Sequence, residues 1–571
     1  MATQLEASAP TARPRAPAWH LLVVAVVAAL AYAPALENLD ALDDHLVAET
    51  SDELAGAPIA SLFDRTYFKK FNQDTYRPVA TLSLMVGHRL GGNRQTAGHV
   101  QNGLWHAGNA VLVKTLASQT LGPGPALFAG LLFAVHPAGS EAVLSVGYQE
   151  DEIVCFFALL SLLLTLRGGR WRHLCALVAY ALALFAKENA AVLPGLLLLT
   201  RLTVARDGPI DRRAIVRELA GYVAVTGGYL LVRFGVMASP QPFADPAGGS
   251  YAATMVAVPR IFAHYLRLLV VPWPLMVLYA NVFPMGDSWI GQLPWLALDV
   301  ALLVGAVRLA RVRPALGFGL LWFALALTPT LHFVPMRVAA ADRFLYLSMV
   351  GGAIAAGAIL EMAIAVARRP AEPRVIWVAA SATLLALLVL TEKRVAVWHD
   401  DMTLWEDTLR HNSHAYMGHF VVGTTLEARG QYEEARRELE AAVGDCPRES
   451  AFGRQRFCAK YAVALGYVRL ETHDVPAARE AFRLSLEYAK DNVSAIIGLG
   501  YTHLVEGNLA EARRLAYRAS QLNATGARDR EALDRIRALL IRAEREVTAA
   551  GSAPPEANAD QRPAASSAPG R

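Results

Sequence analysis

Long apolar runs constrain this chain more than any other feature. Stretches of about 17–25 residues with few charges recur from Trp19 to roughly Leu390, each long enough to cross a bilayer as a helix. With 54% hydrophobic and 18% charged residues and a mean hydropathy of +0.30, the chain is too apolar for an ordinary soluble protein. After Thr391 the composition switches to charged, alanine-rich amphipathic sequence. The expected fold class is therefore all-α, in two parts. A polytopic membrane domain covers 18–391 behind a short tail, 1–17, and a second helical domain covers 392–546 ahead of an Ala/Pro/Ser-rich, disordered tail, 547–571.

The apolar segments place eleven spans near 18–36, 99–120, 124–136, 152–167, 171–186, 190–205, 217–237, 289–309, 314–333, 344–367 and 374–391. Trp19 to Leu36 reads as a first span, because it is long and lacks a clear cleavage site. Five basic clusters set the orientation: Arg13/Arg15, Arg167/Arg170/Arg172, Arg206 to Arg217, Arg308/Arg311/Arg313 and Arg368/Arg369/Arg374. All five fall in the cytoplasm if the N-terminus is inside and the C-terminal domain outside, as in a multi-pass inner-membrane protein with a periplasmic domain. Ala252 to Val271 would break this alternation as a further span. Its Arg260, His264 and Arg267 share one helix face, so it is expected to lie at the outer interface.

This topology gathers ionisable groups on the outer side. Leu42-Asp43-Asp44-His45 follows the first span, and five carboxylates lie between Asp40 and Asp52. Such crowding at a membrane is costly unless it is used. Paired carboxylates suit a general base for a hydroxyl acceptor, since one raises the other's basicity; equally, such a pair can cap a helix or bind an arginine. Asp74-Thr-Tyr76-Arg77-Pro78 closes the same loop. His136-Pro137 ends the third span and, with Glu141 and Glu150, can orient an acceptor; a divalent cation shared with Asp43 and Asp44 is an alternative, though no spaced His/Asp ligand set is present. Lys187-Glu188 ends the fifth span, where Lys187 can neutralise a phosphate and Glu188 hold it. Asp342-Arg343 opens the tenth, and the Arg343 guanidinium matches a phosphate bidentately, with Arg77 as second candidate. Each of these can also be a plain interfacial anchor.

The C-terminal domain carries a repeat. Gly423/Ala435, Gly466/Ala478 and Gly500/Ala512 each pair a glycine with a small residue twelve positions on, and the last two glycines are 34 apart. That is the tetratricopeptide period, predicting stacked helical hairpins near 416–449, 459–492 and 493–526. The first interval is nine residues longer, and Cys446 and Cys458 flank the excess. In an oxidising compartment they are expected to form a disulfide. The net charge of +4 shows no basic stripe for nucleic acid.

The order Asp43-Asp44, Tyr76-Arg77-Pro78, His136-Pro-x-x-x-Glu141-Ala-Val, Ala186-Lys187-Glu188 and Asp342-Arg343-Phe344-Leu345-Tyr346-Leu347 resembles one family. It is that of the transmembrane and TPR-containing O-mannosyltransferases and their bacterial relatives, of the GT-C fold. The similarity runs from Leu36 to about Thr525. It implies a catalytic acidic motif at Asp43-Asp44 and a polyprenyl-phosphate sugar donor; the reading of the residues themselves assigns Arg77, Lys187, Glu188, Arg343 and Tyr346 to the donor and His136, Glu141 and Glu150 to orienting the acceptor. The donor sugar would be mannose or a similar hexose, the acceptor protein Ser/Thr hydroxyls, and the repeats would bind acceptor or partner. Where relatives carry Gly-Arg-Ala-Asp/Glu, this chain has Gly147-Tyr148-Gln149-Glu150, so the carboxylate is kept and the arginine is Tyr148. The alternative reading is a non-catalytic membrane-anchored scaffold for envelope assembly.

Overall fold

The computed structural model describes residues 16–71, 73, 75–90, 93–204, 211–238, 246, 249–279, 282–283, 289–336, 338–369, 371–446, 453–522, 530–531, 533–534, 536–542 and 545. The expectations for Arg13, Arg15, Asp74, Arg206 and the two tails lie largely or wholly outside these residues. Among the described residues the chain is helical and has no strand. It divides into two compact units, Met1–Val422 and Gly423–Arg571.

In the first unit, six helices are long and apolar enough to cross a membrane: Trp19–Glu37, Arg212–Val236, Tyr251–Val270, Trp289–Val312, Asp342–Val366 and Glu372–Val397. A seventh forms if Pro123–Val135 and Pro137–Leu144, bent by 49° at His136, count as one span. The remaining expected spans also lie on helices, and the sequence explains why they are less apolar. Gln149–Leu166 begins with three carboxylates, and Leu193–Thr203 is only 11 residues long. Arg94–Ala117 buries a polar stripe, His99, Asn102, His106 and Asn109, at alternating three- and four-residue steps. Its start is fixed by Asn93, whose side chain accepts from Gln95 N–H at 3.0 Å.

The helix expected at the outer interface is Tyr251–Val270, and its length and composition are those of a span. One face packs inside the protein through Val256, Ala257, Ile261, Phe262, Tyr265 and Leu268. Arg260 and Arg267 stay exposed; Arg267 donates to the Trp273 carbonyl at 2.5 Å. Elsewhere, Gly319 and Gly351 bring the helices Pro314–Leu327 and Tyr346–Val366 into backbone contact, where a methyl on either glycine would overlap the other's carbonyl.

This unit continues past the composition break at Thr391. The last apolar helix runs to Val397, and a capping box between Asp400 and Thr403 starts the helix Asp401–His411. That helix is tied back to the membrane unit. Arg394 and Asp407 pair at 2.8 Å, and Asn412 donates to the Leu278 carbonyl at 3.1 Å.

The second unit is a stack of hairpins, the first beginning on the helix that carries the boundary. The helix pairs are Tyr416–Ala428 with Tyr432–Asp445, Ala459–Glu471 with Val475–Tyr488, and Val493–Val505 with Leu509–Gln521. Gly423, Gly466 and Gly500 lie where a Cβ would press on the partner helix, and Ala435, Ala478 and Ala512 are fully buried. The turns share one conformation: Gly430, His473 and Gly507 have φ of 75°, 61° and 78°. Cys446 and Cys458 form the expected disulfide.

Candidate functional site

Two loops meet to build the site. After the first span, a 3₁₀ turn and the short helix Asp44–Glu49 carry Asp40 to His45. Leu42 adopts φ 57°, and its N–H is held at 2.9 Å by Asp401 Oδ1. His45 Nε2 lies 2.7 Å from Asp401 Oδ2. The carboxylates then separate. Asp40 pairs with Arg94, Glu49 and Asp52 stay exposed, and Asp43 and Asp44 turn inward.

The turn Ser145–Tyr148 grips both aspartates. Asp44, 2% exposed, accepts at Oδ1 from Ser145 Oγ–H and Gly147 N–H, each at 2.8 Å. Burial pushes its carboxyl up to about 7, the two donors acting in the opposite direction. Asp43 is half-buried and accepts at Oδ2 from the Tyr148 hydroxyl at 2.6 Å. Gly147 is required for the approach, since a Cβ there would sit 3.2 Å from the Asp43 carbonyl. Asn102 holds the turn from behind, donating to the Val143 and Ser145 carbonyls at 3.0 Å and accepting from Gln149 at 2.7 Å.

Arg343 reaches the same knot from the other side. Its backbone N–H donates to Glu141 Oε2 at 2.9 Å, and its Nη1 pairs with Glu141 Oε1. Its guanidinium lies 3.9 Å from the centre of the Tyr148 ring. Glu141 itself is 1% exposed, so the ion pair is almost wholly desolvated.

A second group lies beside it. Arg77 donates to Glu150 at 2.9 Å and to Glu188 through Nε and Nη2 at 3.3 and 2.8 Å. Lys187 pairs with Asp151 at 2.6 Å and with Glu150 at 3.6 Å. Arg233 reaches Glu188 at 3.3 Å and Tyr229 at 2.7 Å. Burial alone would raise Glu188, but Arg77 and Arg233 hold its carboxyl well below the usual range. Three cations thus meet three carboxylates. All three Arg77 nitrogens are engaged by carboxylates.

Two expected residues are used otherwise. His136 accepts from Ala138 N–H at 3.3 Å at the helix bend, and its Nε2 bonds the Leu269 carbonyl of the helix Tyr251–Val270 at 3.1 Å, so both ring nitrogens are engaged. Tyr346 is buried, with its hydroxyl between His106 (2.8 Å) and Asn109 (3.2 Å). Among the described residues, no group of three or more His, Cys, Asp or Glu side chains is arranged to hold a metal ion. Sequence reasoning missed Arg233, whose signal is an arginine inside an apolar span. It also missed Asn102 and Asp401, which act only through contacts 43 and 359 residues away in the chain.

Helical spans, a paired-aspartate site and a tetratricopeptide-type repeat define the class: a multi-span membrane protein with an appended helical solenoid. The curated relatives found are protein O-mannosyl-transferases, as the motifs implied. The chain is 30% identical over 168 residues to human TMTC4, covering 26% of this chain and 23% of that protein. It is 27% identical over 255 residues to Drosophila melanogaster Tmtc2, covering 40% and 27%. With Caenorhabditis elegans F38B6.6 it shares 21% identity over 406 residues, covering 68% and 56%. The matched stretch thus spans about a quarter of the length of the first two. No family model matches the chain. Among solved structures, the archaeal oligosaccharyltransferase AglB from Archaeoglobus fulgidus is similar at a TM-score of 0.40 and 13% identity, over 66% of this chain and 56% of that one.

Proposed function

We propose that the chain is a GT-C-type membrane glycosyltransferase that moves mannose or a similar hexose from polyprenyl phosphate to a hydroxyl acceptor, protein Ser/Thr foremost. One observation carries the reading: a half-buried carboxylate, Asp43, and a desolvated guanidinium, Arg343, flank a single side chain, Tyr148. The named activity of the relatives supports the sugar and the acceptor.

In the proposed step the acceptor oxygen attacks the anomeric carbon and its proton passes to the Asp43 carboxylate. The bond from that carbon to the phosphate oxygen breaks, and the departing polyprenyl phosphate keeps the electron pair opposite Arg343. Asp43 is the base because Asp44 Oδ1 already takes two donors and is buried. Arg343 supplies positive charge on the leaving-group side. Arg77, Lys187 and Glu188 shape the neighbouring wall. The arginine clusters favour a cytoplasmic N-terminus and an extracytoplasmic site and repeat domain. The repeats would bind the acceptor or a partner protein.

The test is glycoprotein profiling in cells carrying Asp43→Asn or Asp44→Asn at normal protein levels. Loss of a defined set of O-linked hexoses in Asp43→Asn is expected. Persistence of every glycan in both variants removes the enzyme reading.

A further inference from the structure

The side chain between the two charged groups of the site is an aromatic ring with one polar end. Tyr148 is 8% exposed, and burial raises its hydroxyl well above the ordinary tyrosine value. It therefore stays a neutral donor at any physiological pH. Its hydroxyl donates to Asp43 Oδ2 at 2.6 Å. Its ring face carries the Arg343 guanidinium at 3.9 Å. The backbone beneath is fixed by Gly147 N–H on Asp44 and by Asn102 on Ser145.

We propose that Tyr148 is a positioning residue that sets the distance between the Asp43 carboxylate and the Arg343 guanidinium, its hydroxyl orienting the first and its ring seating the second. This rests on the functional reading above and assigns each end of one side chain a separate duty. The hydroxyl fixes which Asp43 oxygen is free to take a proton. The ring supports the cation without adding a second anion that would compete with a phosphate. A carboxylate at position 148 could pair with Arg343 but has no proton to donate to Asp43.

The two duties separate by substitution. Tyr148→Phe keeps the ring and loses the hydroxyl; Tyr148→Leu loses both. The full-length protein in detergent is assayed for binding of undecaprenyl phosphate alone, and for transfer from mannosyl-phosphoundecaprenol to a Ser/Thr peptide. Tyr148→Phe should bind the lipid phosphate within about twofold of wild type, with donor KM unchanged and kcat lowered about tenfold, as for one lost orienting hydrogen bond. Tyr148→Leu should share the kcat loss and also bind the lipid phosphate about tenfold more weakly, as for a desolvated cation–π contact. In an Asp43→Asn background, Tyr148→Phe should cost nothing further in kcat.

The proposal is overturned if Tyr148→Phe has wild-type kcat, or if it loses phosphate affinity as Tyr148→Leu does. Should Tyr148→Leu not fold, the kcat and additivity of Tyr148→Phe still decide. Failure of the enzyme reading looks different: wild type and Asp43→Asn would then transfer alike, whatever Tyr148 does to lipid-phosphate binding.

Discussion

Asp44 Oδ1 and the Gly147 N–H are 2.8 Å apart, and this bond ties the loop after the first span to the turn Ser145–Tyr148. An asparagine at position 44 could accept the same two donors without a buried charge. The carboxyl is raised to about 7 by burial, so between about pH 4 and 7 the folded state binds more protons than the unfolded one. Its stabilising effect is full below the ordinary aspartate value and is lost as pH rises through about 7. Asp44→Asn should therefore melt at or above the wild-type temperature at pH 8, with the gap closing near pH 4. It should keep at least about a tenth of the transfer activity, whereas Asp43→Asn loses about 100-fold or more. The reverse ranking would make Asp44 the base.

His45 and Asp401 give a second pH signature of opposite origin. The hydrogen bond that His45 donates to Asp401 raises it above its ordinary value. A raised histidine stabilises most below about pH 6.5 and ceases to do so as pH climbs through the folded value. Thermal melts of wild type and His45→Gln should differ at pH 5.5 and coincide at pH 9. His45 is half exposed, so the difference will be small and will shrink in high salt.

In the repeat unit, His473 occupies a left-handed turn position that glycine fills in the other two hairpins. A side chain there costs roughly 1 kcal/mol. His473→Gly should raise the unfolding midpoint of the repeat unit, and Gly507→Ala should lower it by a similar amount. Pulse proteolysis of the full chain reads both.

The disulfide Cys446–Cys458 closes a loop with a sequence separation of 12 residues. The loop-entropy estimate for a loop of that size is about 3 kcal/mol. Non-reducing peptide mapping of exported protein should recover the linked pair. Cys446→Ser should then lower the unfolding midpoint of the repeat unit; free thiols in exported protein would contradict the pairing.

Much of this was legible in the sequence. Apolar run length marked the helices of the first unit, and the spacing of Gly466, Ala478, Gly500 and Ala512 marked the hairpins, because both are local periodicities. The loops carrying Asp43, Arg77, Glu141, Lys187 and Arg343 were each visible as charge beside an apolar run. What could not be read was how those charges sort. Arg77 and Arg343 look equivalent in sequence, yet one is saturated by Glu150 and Glu188 while the other pairs with Glu141 and rests on Tyr148. His136 carried no local mark of being used by the bend it sits in. The role of Asn102 depends on Ser145, 43 residues away, and no periodicity reports such a contact. The Tyr251–Val270 helix reads two ways in sequence, because arginines share one of its faces while its length and composition are those of a span.

Asp401 also dates the site. The first loop emerges from the ribosome early, but the carboxylate that anchors Leu42 and His45 lies 359 residues later, beyond the last apolar helix. Until that final segment has been made, the loop bearing Asp43 lacks one of its fastenings. A nascent chain thus passes most of its synthesis with the acidic pair present but unset. Completion of the membrane domain and completion of the site become a single event.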